Sequence, residues 1–137
     1  MCYSTSIDVR ITDLNYGGHM GNDTFLSIAH EARVRFLKKI GFKNEGSGPE
    51  GIGIIMGDAA IIYKAEVKHG DTLKVDIGVG DFSSLGFDIF YRLSSEKQGN
   101  VVALIKTGII GFDYQAGRIS KIPDVVIAKI NELGVLQ

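Results

Sequence analysis

Eleven residues, Asp13-Leu-Asn-Tyr-Gly-Gly-His-Met-Gly-Asn-Asp23, bring together two carboxylates, two amides, one histidine and three glycines. His19 has the side chain whose ordinary pKa suits general-base chemistry near neutrality, although a loop histidine can also simply bond to backbone. Asp13 can take a proton, or it can turn the loop through Asx hydrogen bonds. Asn15 stands two residues on, on the same side as Asp13 if the backbone is extended. Gly17, Gly18 and Gly21 leave the main chain permissive where a substrate must approach closely. An amphipathic run opens at Thr24-Phe25-Leu26, so the loop is aimed at a helix N-terminus, where free N–H groups and the helix dipole can hold an oxyanion or a polarised carbonyl. Tyr16, Gly17, Gly18 and Asn22 are therefore expected to line the substrate. Glu31 precedes Arg35 by four residues and reads either as an exposed ion pair or as a further acid of the site.

Other chemistries lack their patterns. The glycines do not have the GxxxxGK[ST] spacing of a phosphate-cradling loop, and His19, His30 and His69 form no HExxH-like metal set. No metal and no cofactor are expected. The single cysteine, Cys2, has no partner for a disulfide or a zinc site, which fits a reducing compartment. A formal net charge of −1 gives no footprint for nucleic acid, and no apolar run approaches a membrane span. With no basic-then-apolar leader at the N-terminus, a cytoplasmic location is expected.

The elements that must position the loop follow from periodicity. Ile7, Val9 and Ile11 alternate with polar residues, predicting a strand over 3–12. Phe25, Ala29, Ala32, Phe36 and Ile40 recur at helical spacing, with Asn22 or Asp23 as N-cap and Gly41 just past the end. The stretch 43–51 is glycine-rich and predicts a mobile surface loop beside the substrate entrance. Ile52 to Val67 reads as a long strand kinked or bulged near Met56-Gly57-Asp58. Alternation from Leu73 to Val79 and from Phe87 to Leu93 predicts two half-buried antiparallel strands, and the apolar run 101–114 predicts a central strand covered on both faces. A helix over 124–133 follows Pro123 and stops at Gly134. At 137 residues a single α+β domain is expected, one curved antiparallel sheet wrapped around one long helix.

The run Arg10-Ile-Thr-Asp13-Leu-Asn15-Tyr-Gly-Gly18-His19-Met-Gly-Asn22, followed by His30-Glu31-Ala32-Arg33 and Phe36-Leu37, resembles the hotdog-fold acyl-CoA thioesterases of the 4-hydroxybenzoyl-CoA thioesterase type. Members usually carry D-x-D-x-x-G-H-x-N-N before an E-x-A-R helix. The resemblance implies hydrolysis of an acyl-CoA thioester, with the second aspartate as base or nucleophile and a helix-terminal N–H polarising the carbonyl. It also implies homo-oligomers, dimers joined sheet edge to sheet edge or tetramers, with sites between subunits. Asp13 matches the first aspartate and Gly18 the glycine; Asn22 falls where the polarising amide is expected. Asn15 falls on the second aspartate, and an amide cannot accept a proton as a carboxylate does. Three readings follow: a thioesterase whose base lies among Asp13, His19 and Glu31; a non-catalytic acyl-thioester binding module; and a hydratase or dehydratase pairing His19 with Glu31.

Overall fold

Alternating apolar residues let each strand bury one face, and the long apolar stripe of the helix supplies what they bury against. The computed structural model describes residues 2–134. Its elements are β1 (Tyr3–Asp8), α1 (Asn22–Lys39), β2 (Gly53–Tyr63), β3 (Thr72–Gly80), β4 (Gly86–Ser95), β5 (Val101–Asp113), β6 (Arg118–Ile119) and α2 (Asp124–Glu132), with 3-10 turns at Ile11–Asp13 and Pro49–Gly51. The sheet runs β1-β3-β4-β5-β2, all pairs antiparallel, and β6 adds a short hook to the end of β5.

Leu73, Val75, Ile77 and Val79 of β3 lie beside Ser95, Leu93, Tyr91 and Ile89 of β4. Their buried face meets Phe25, Ile28, Ala29, Ala32, Phe36 and Leu37 of α1 in one core. Ala29 and Ala32 are fully buried, and these small side chains let the helix axis come close to the sheet. At 18 residues α1 is about 27 Å long, and it packs against β1, β3 and β5.

Four expectations need correction. The first strand ends at Asp8, because Arg10 and Asp13 bond reciprocally and wind 11–13 into a 3-10 turn. The N-cap is Gly21, not Asn22 or Asp23, which lie in the first turn of α1. A Cβ at residue 21 would stand 2.8 Å from Asp23 Oδ1, so that acid leans over the helix start and would have to turn aside for any larger residue. The strand β2 stops at Tyr63 rather than Val67, although its bulge falls where expected, between Met56 and Asp58. Finally, β5 is interior in the sheet but covered on one face only: Leu104, Lys106, Gly108 and Ile110 on the outer face are half-buried, since the chain has no second layer there.

The loop 43–51 is tied down at several points. Glu45 accepts from Arg33 Nε at 2.6 Å and meets His30 Nε2 at 3.1 Å, and its carbonyl accepts from the Ile54 N–H at 2.7 Å. Arg33, buried in the core, also donates to the Tyr91 hydroxyl at 3.2 Å, which bonds Thr107 at 2.7 Å. A polar chain therefore runs from the loop through the helix to the sheet.

Candidate active site

The loop between the 3-10 turn and α1 closes on itself like a small hairpin. Leu14 bridges Met20, the Asn15 N–H donates to the His19 carbonyl at 2.8 Å, and the Gly18 N–H donates to the Asn15 carbonyl at 3.1 Å. Gly18 takes φ 79°, the left-handed region that suits glycine, and Tyr16 is fully exposed at the tip. The Asn15 side chain works inside this turn: its Oδ1 accepts from the Gly17 N–H at 2.9 Å and the His19 N–H at 3.4 Å. Its amide NH2 is thereby left as the outward-facing function.

His19 and Asn15 share one spot. A Cβ at Gly17 would stand 3.3 Å from Asn15 Oδ1 and 3.8 Å from His19 Nδ1. The other ring nitrogen, Nε2, lies 3.2 Å from Glu66 Oε2. With Glu66 ionised, Nε2 is the donor of that pair, so Nδ1 carries the free lone pair on the Asn15 side. A carboxylate that orients an imidazole and leaves its second nitrogen without a partner among the described residues is the arrangement a general base needs.

Gly21 caps α1 without a side-chain bond, and the N–H groups of Asn22 and Asp23 find no acceptor among the described residues. They are free to hold a carbonyl oxygen or an oxyanion, with the helix dipole in support. The Tyr63 hydroxyl donates to the Asn22 carbonyl at 3.0 Å, and its ring meets Phe25 edge-on at 5.2 Å. The end of β2 is thus pinned to the start of the helix.

The remaining expected residues lie apart from this cluster. Asp13 is buried and turned back onto Arg10, accepting from its backbone N–H at 2.8 Å and its side chain at 3.3 and 3.0 Å. Burial alone lifts its pKa, but the hydrogen bonds and charge of Arg10 outweigh that and hold the carboxyl below the ordinary range. Such a group is a weak base with its oxygens already engaged. The extended backbone that would align it with Asn15 is lost to the 3-10 turn. Glu31 pairs with Arg35 at 2.7 Å, and Arg35 continues to Thr5 and Ser6, so Glu31 faces β1 on the far side of α1 from Glu45. Cys2 is no nucleophile, since burial pushes its thiol up to about 11. Among the described residues no group of His, Cys, Asp or Glu is arranged to hold a metal ion.

Glu66 and Tyr63 escaped the sequence reading because each is distant in the chain from its partner.

With this geometry in hand, the comparisons are specific about family. The model of the thioesterase-like superfamily matches residues 9–130. No curated protein matches the chain. Among solved structures, a thioesterase complexed with coenzyme A and Zn from Thermus thermophilus is 20% identical, with 96% of this chain and 93% of that one covered and a TM-score of 0.82. A predicted thioesterase from Bacillus stearothermophilus is 21% identical, with 95% and 94% covered and a TM-score of 0.82. A DHNA-CoA thioesterase from Staphylococcus aureus is 21% identical, with 96% and 91% covered and a TM-score of 0.81. At such identities the likeness is one of fold.

Proposed function

The chain belongs to the thioesterase-like superfamily, and from that membership we infer that it hydrolyses acyl-CoA thioesters to the free acid and the coenzyme A thiol. The observation that carries this reading is the His19 ring paired with Glu66 on the turn that Asn15 holds, ahead of an α1 start whose Asn22 and Asp23 N–H groups are unclaimed among the described residues. In the proposed reaction the thioester carbonyl oxygen sits on those N–H groups. Water, oriented by the Asn15 amide, attacks the carbonyl carbon as His19 Nδ1 takes its proton. The oxyanion collapses, the C–S bond breaks, and the departing thiolate receives the proton from the imidazolium. Asp13 shapes the loop through Arg10, and Tyr16, Gly17 and Gly18 form the lip over the substrate.

Measured release of coenzyme A thiol from a panel of aliphatic and aromatic acyl-CoAs tests the reading. The native protein is expected to turn over at least one of them, and His19→Ala is expected to lose about 10²- to 10⁴-fold in kcat. Turnover that survives His19→Ala unchanged would remove His19 from the mechanism. Asn15 keeps a second reading in play, a binding module without chemistry; saturable coenzyme A binding with no thiol release across the panel would favour it. The hydratase reading has no such support, because Glu31 and His19 are not assembled into a pair within the chain.

The same proposal includes the assembly. β2 is an 11-residue strand at one edge of the sheet, with Met56, Ile62 and Tyr63 exposed. Within it only Asp58 carries charge, and no lysine or proline blunts it. An edge of this kind invites pairing with the same edge of a second copy. Since Tyr63 of that edge touches Asn22, a homodimer built there would put the site at the subunit boundary. Among the described residues no helix is long and apolar enough to cross a membrane. The lone cysteine supports a reducing, cytoplasmic location.

A further inference from the structure

One short segment holds both the His19 loop and the start of α1. Tyr63, the last residue of β2, donates its hydroxyl to the Asn22 carbonyl at 3.0 Å; Glu66 meets His19 Nε2 at 3.2 Å; and the Val67 carbonyl accepts from the Met20 N–H at 2.7 Å. The segment is itself fixed to the sheet. Tyr63 pairs with Ala103 of β5, the Lys64 and Ala65 N–H groups both donate to the Val102 carbonyl, at 2.8 and 3.2 Å, and Gln98 Nε2 donates to the Glu66 carbonyl at 2.7 Å. The Tyr63 ring has little freedom to swing, since it meets Phe25 edge-on at 5.2 Å and Phe25 is buried in the core. The residue on the candidate base and the residue on the helix start are thus carried by one braced stretch of chain, which fixes the spacing between the two arms of the site.

The Tyr63 contact falls on a particular peptide group. The Asn22 carbonyl and the Asp23 N–H belong to one planar trans unit, so they point in opposite directions and cannot turn independently. A hydroxyl on the oxygen side therefore sets the aim of the N–H, and by drawing electron density onto the oxygen it makes that N–H a stronger donor. The preceding peptide, which carries the Asn22 N–H, has its carbonyl on the Thr24 N–H at 3.0 Å and, among the described residues, no side chain on it. We propose that Tyr63 is a positioning residue of the site: its hydroxyl orients and polarises the Asn22–Asp23 peptide, so that the Asp23 N–H is the principal donor to the thioester carbonyl oxygen and to the oxyanion formed from it. The assignment rests on the thioesterase reading and gives its two arms parallel supports, Glu66 for the base and Tyr63 for the anion donor. Because the oxygen carries more negative charge in the transition state than in the bound thioester, a weakened donor costs rate more than binding. The Asp23 carboxylate, which leans over Gly21, opposes an anion nearby, but its charge is the same with and without the Tyr63 hydroxyl.

Tyr63→Phe removes the hydroxyl and keeps the ring that packs on Phe25. Tyr63 is exposed, so matching thermal unfolding of the two proteins is expected. With an acyl-CoA that the native protein hydrolyses, and at equal sedimentation mass so that the β2 edge is held constant, kcat is expected to fall roughly 3- to 10-fold with KM unchanged, the scale of one hydrogen bond. The pH at which the rate is half-maximal is expected to stay where the native protein has it, since the imidazole and Glu66 are untouched. A readout that needs no substrate is the Asp23 amide in a nitrogen–proton NMR spectrum. A hydrogen bond to the preceding carbonyl deshields the amide nitrogen, so the Asp23 nitrogen resonance is expected to move upfield in Tyr63→Phe while that of Met20, on the His19 loop, keeps its position. Undiminished kcat, or an Asp23 resonance that does not move, would each overturn the assignment. A loss confined to KM, or a shifted pH profile with resonance changes spread through the His19 loop, would make Tyr63 a brace of the fold and overturn it too. If the native protein hydrolyses no thioester, the thioesterase reading fails and the role of Tyr63 falls with it; an active native protein whose Tyr63→Phe variant is equally active sinks the role alone.

Discussion

At the scale of single residues, the replacement of an acid by Asn15 matters less than what surrounds it. Asn15 Oδ1 is consumed by two N–H groups of its own turn, so a carboxylate at this position would have one oxygen engaged in the same way and would lose the outward amide donor. Asn15→Asp is therefore expected to leave kcat unchanged or lower it. A gain in thiol release of about 10²-fold or more, the scale of a positioned base, would instead mark the native chain as a disabled aspartate enzyme. Asp13 makes a different prediction, one about pH. Its folded-state pKa lies below the ordinary value, so the folded protein binds fewer protons there than the unfolded chain does. The stabilisation it contributes is present above the unfolded pKa of about 4 and is lost as pH falls through the lower folded value. Asp13→Asn should thus melt below the native protein at pH 7, with the gap closing as both are titrated toward pH 2. A gap that persists unchanged in acid would mean that the Arg10 pairing contributes nothing. The loop was legible from residue types alone, but the choice among its candidate bases was not. Asp13 is turned onto Arg10 by a reciprocal bond, and His19 meets Glu66 from another element; neither contact leaves a trace in spacing.

At the scale of elements, periodicity carried the order of strands and helices because each strand buries one face and α1 buries a broad stripe. It failed where one residue overrides a pattern. Gly21 took the N-cap from Asn22 and Asp23, and Arg10 with Asp13 cut the first strand short. The hook β6 is two residues long and pairs Phe112 with Ile119 through a turn at Gly117, too brief for any period to register. The glycine-rich loop is a more consequential case. Composition predicts mobility, yet Glu45 ties that loop to Arg33 inside the core. Arg33 is almost wholly buried while Glu45 keeps partial contact with water, so removing the acid strands a guanidinium in an apolar setting. Glu45→Ala is expected to destabilise the fold by about 3 kcal/mol, the lower end for breaking a buried pair, read as a shift in the denaturant midpoint at unchanged slope. Arg33→Met combined with Glu45→Ala should recover part of that loss, since no charge is then left unpaired. Equal stability of native and Glu45→Ala proteins would show that the Glu45 pairing contributes nothing and that Tyr91 suffices to hold Arg33.

At the scale of the whole molecule, the two edges of the sheet are unequal. The β1 edge is six residues long and carries Ser4, Ser6 and Asp8, whereas the β2 edge is longer and exposes Met56, Ile62 and Tyr63. If the β2 edge pairs with its own copy about a twofold axis, charges placed there will cost nothing in the free subunit, where those side chains already meet water, and will repel across the axis, where each is brought toward its own image. Met56→Lys/Ile62→Lys is therefore expected to convert a dimer into a folded monomer with a native circular dichroism spectrum. Activity is the sharper readout. Because the Tyr63 hydroxyl holds the Asn22 carbonyl, the helix start that would receive the thioester is braced by the same edge that would meet the partner. The monomeric variant should consequently lose thiol release in parallel with its sedimentation mass, and crowding it back together at high protein concentration and high salt, which screens the added lysines, should restore part of both. A native protein that sediments near 14.8 kDa at micromolar concentration removes the dimer. A monomeric variant with full activity keeps the dimer but takes the partner out of the chemistry, placing the whole site within the loop, the helix start and Glu66 of one chain.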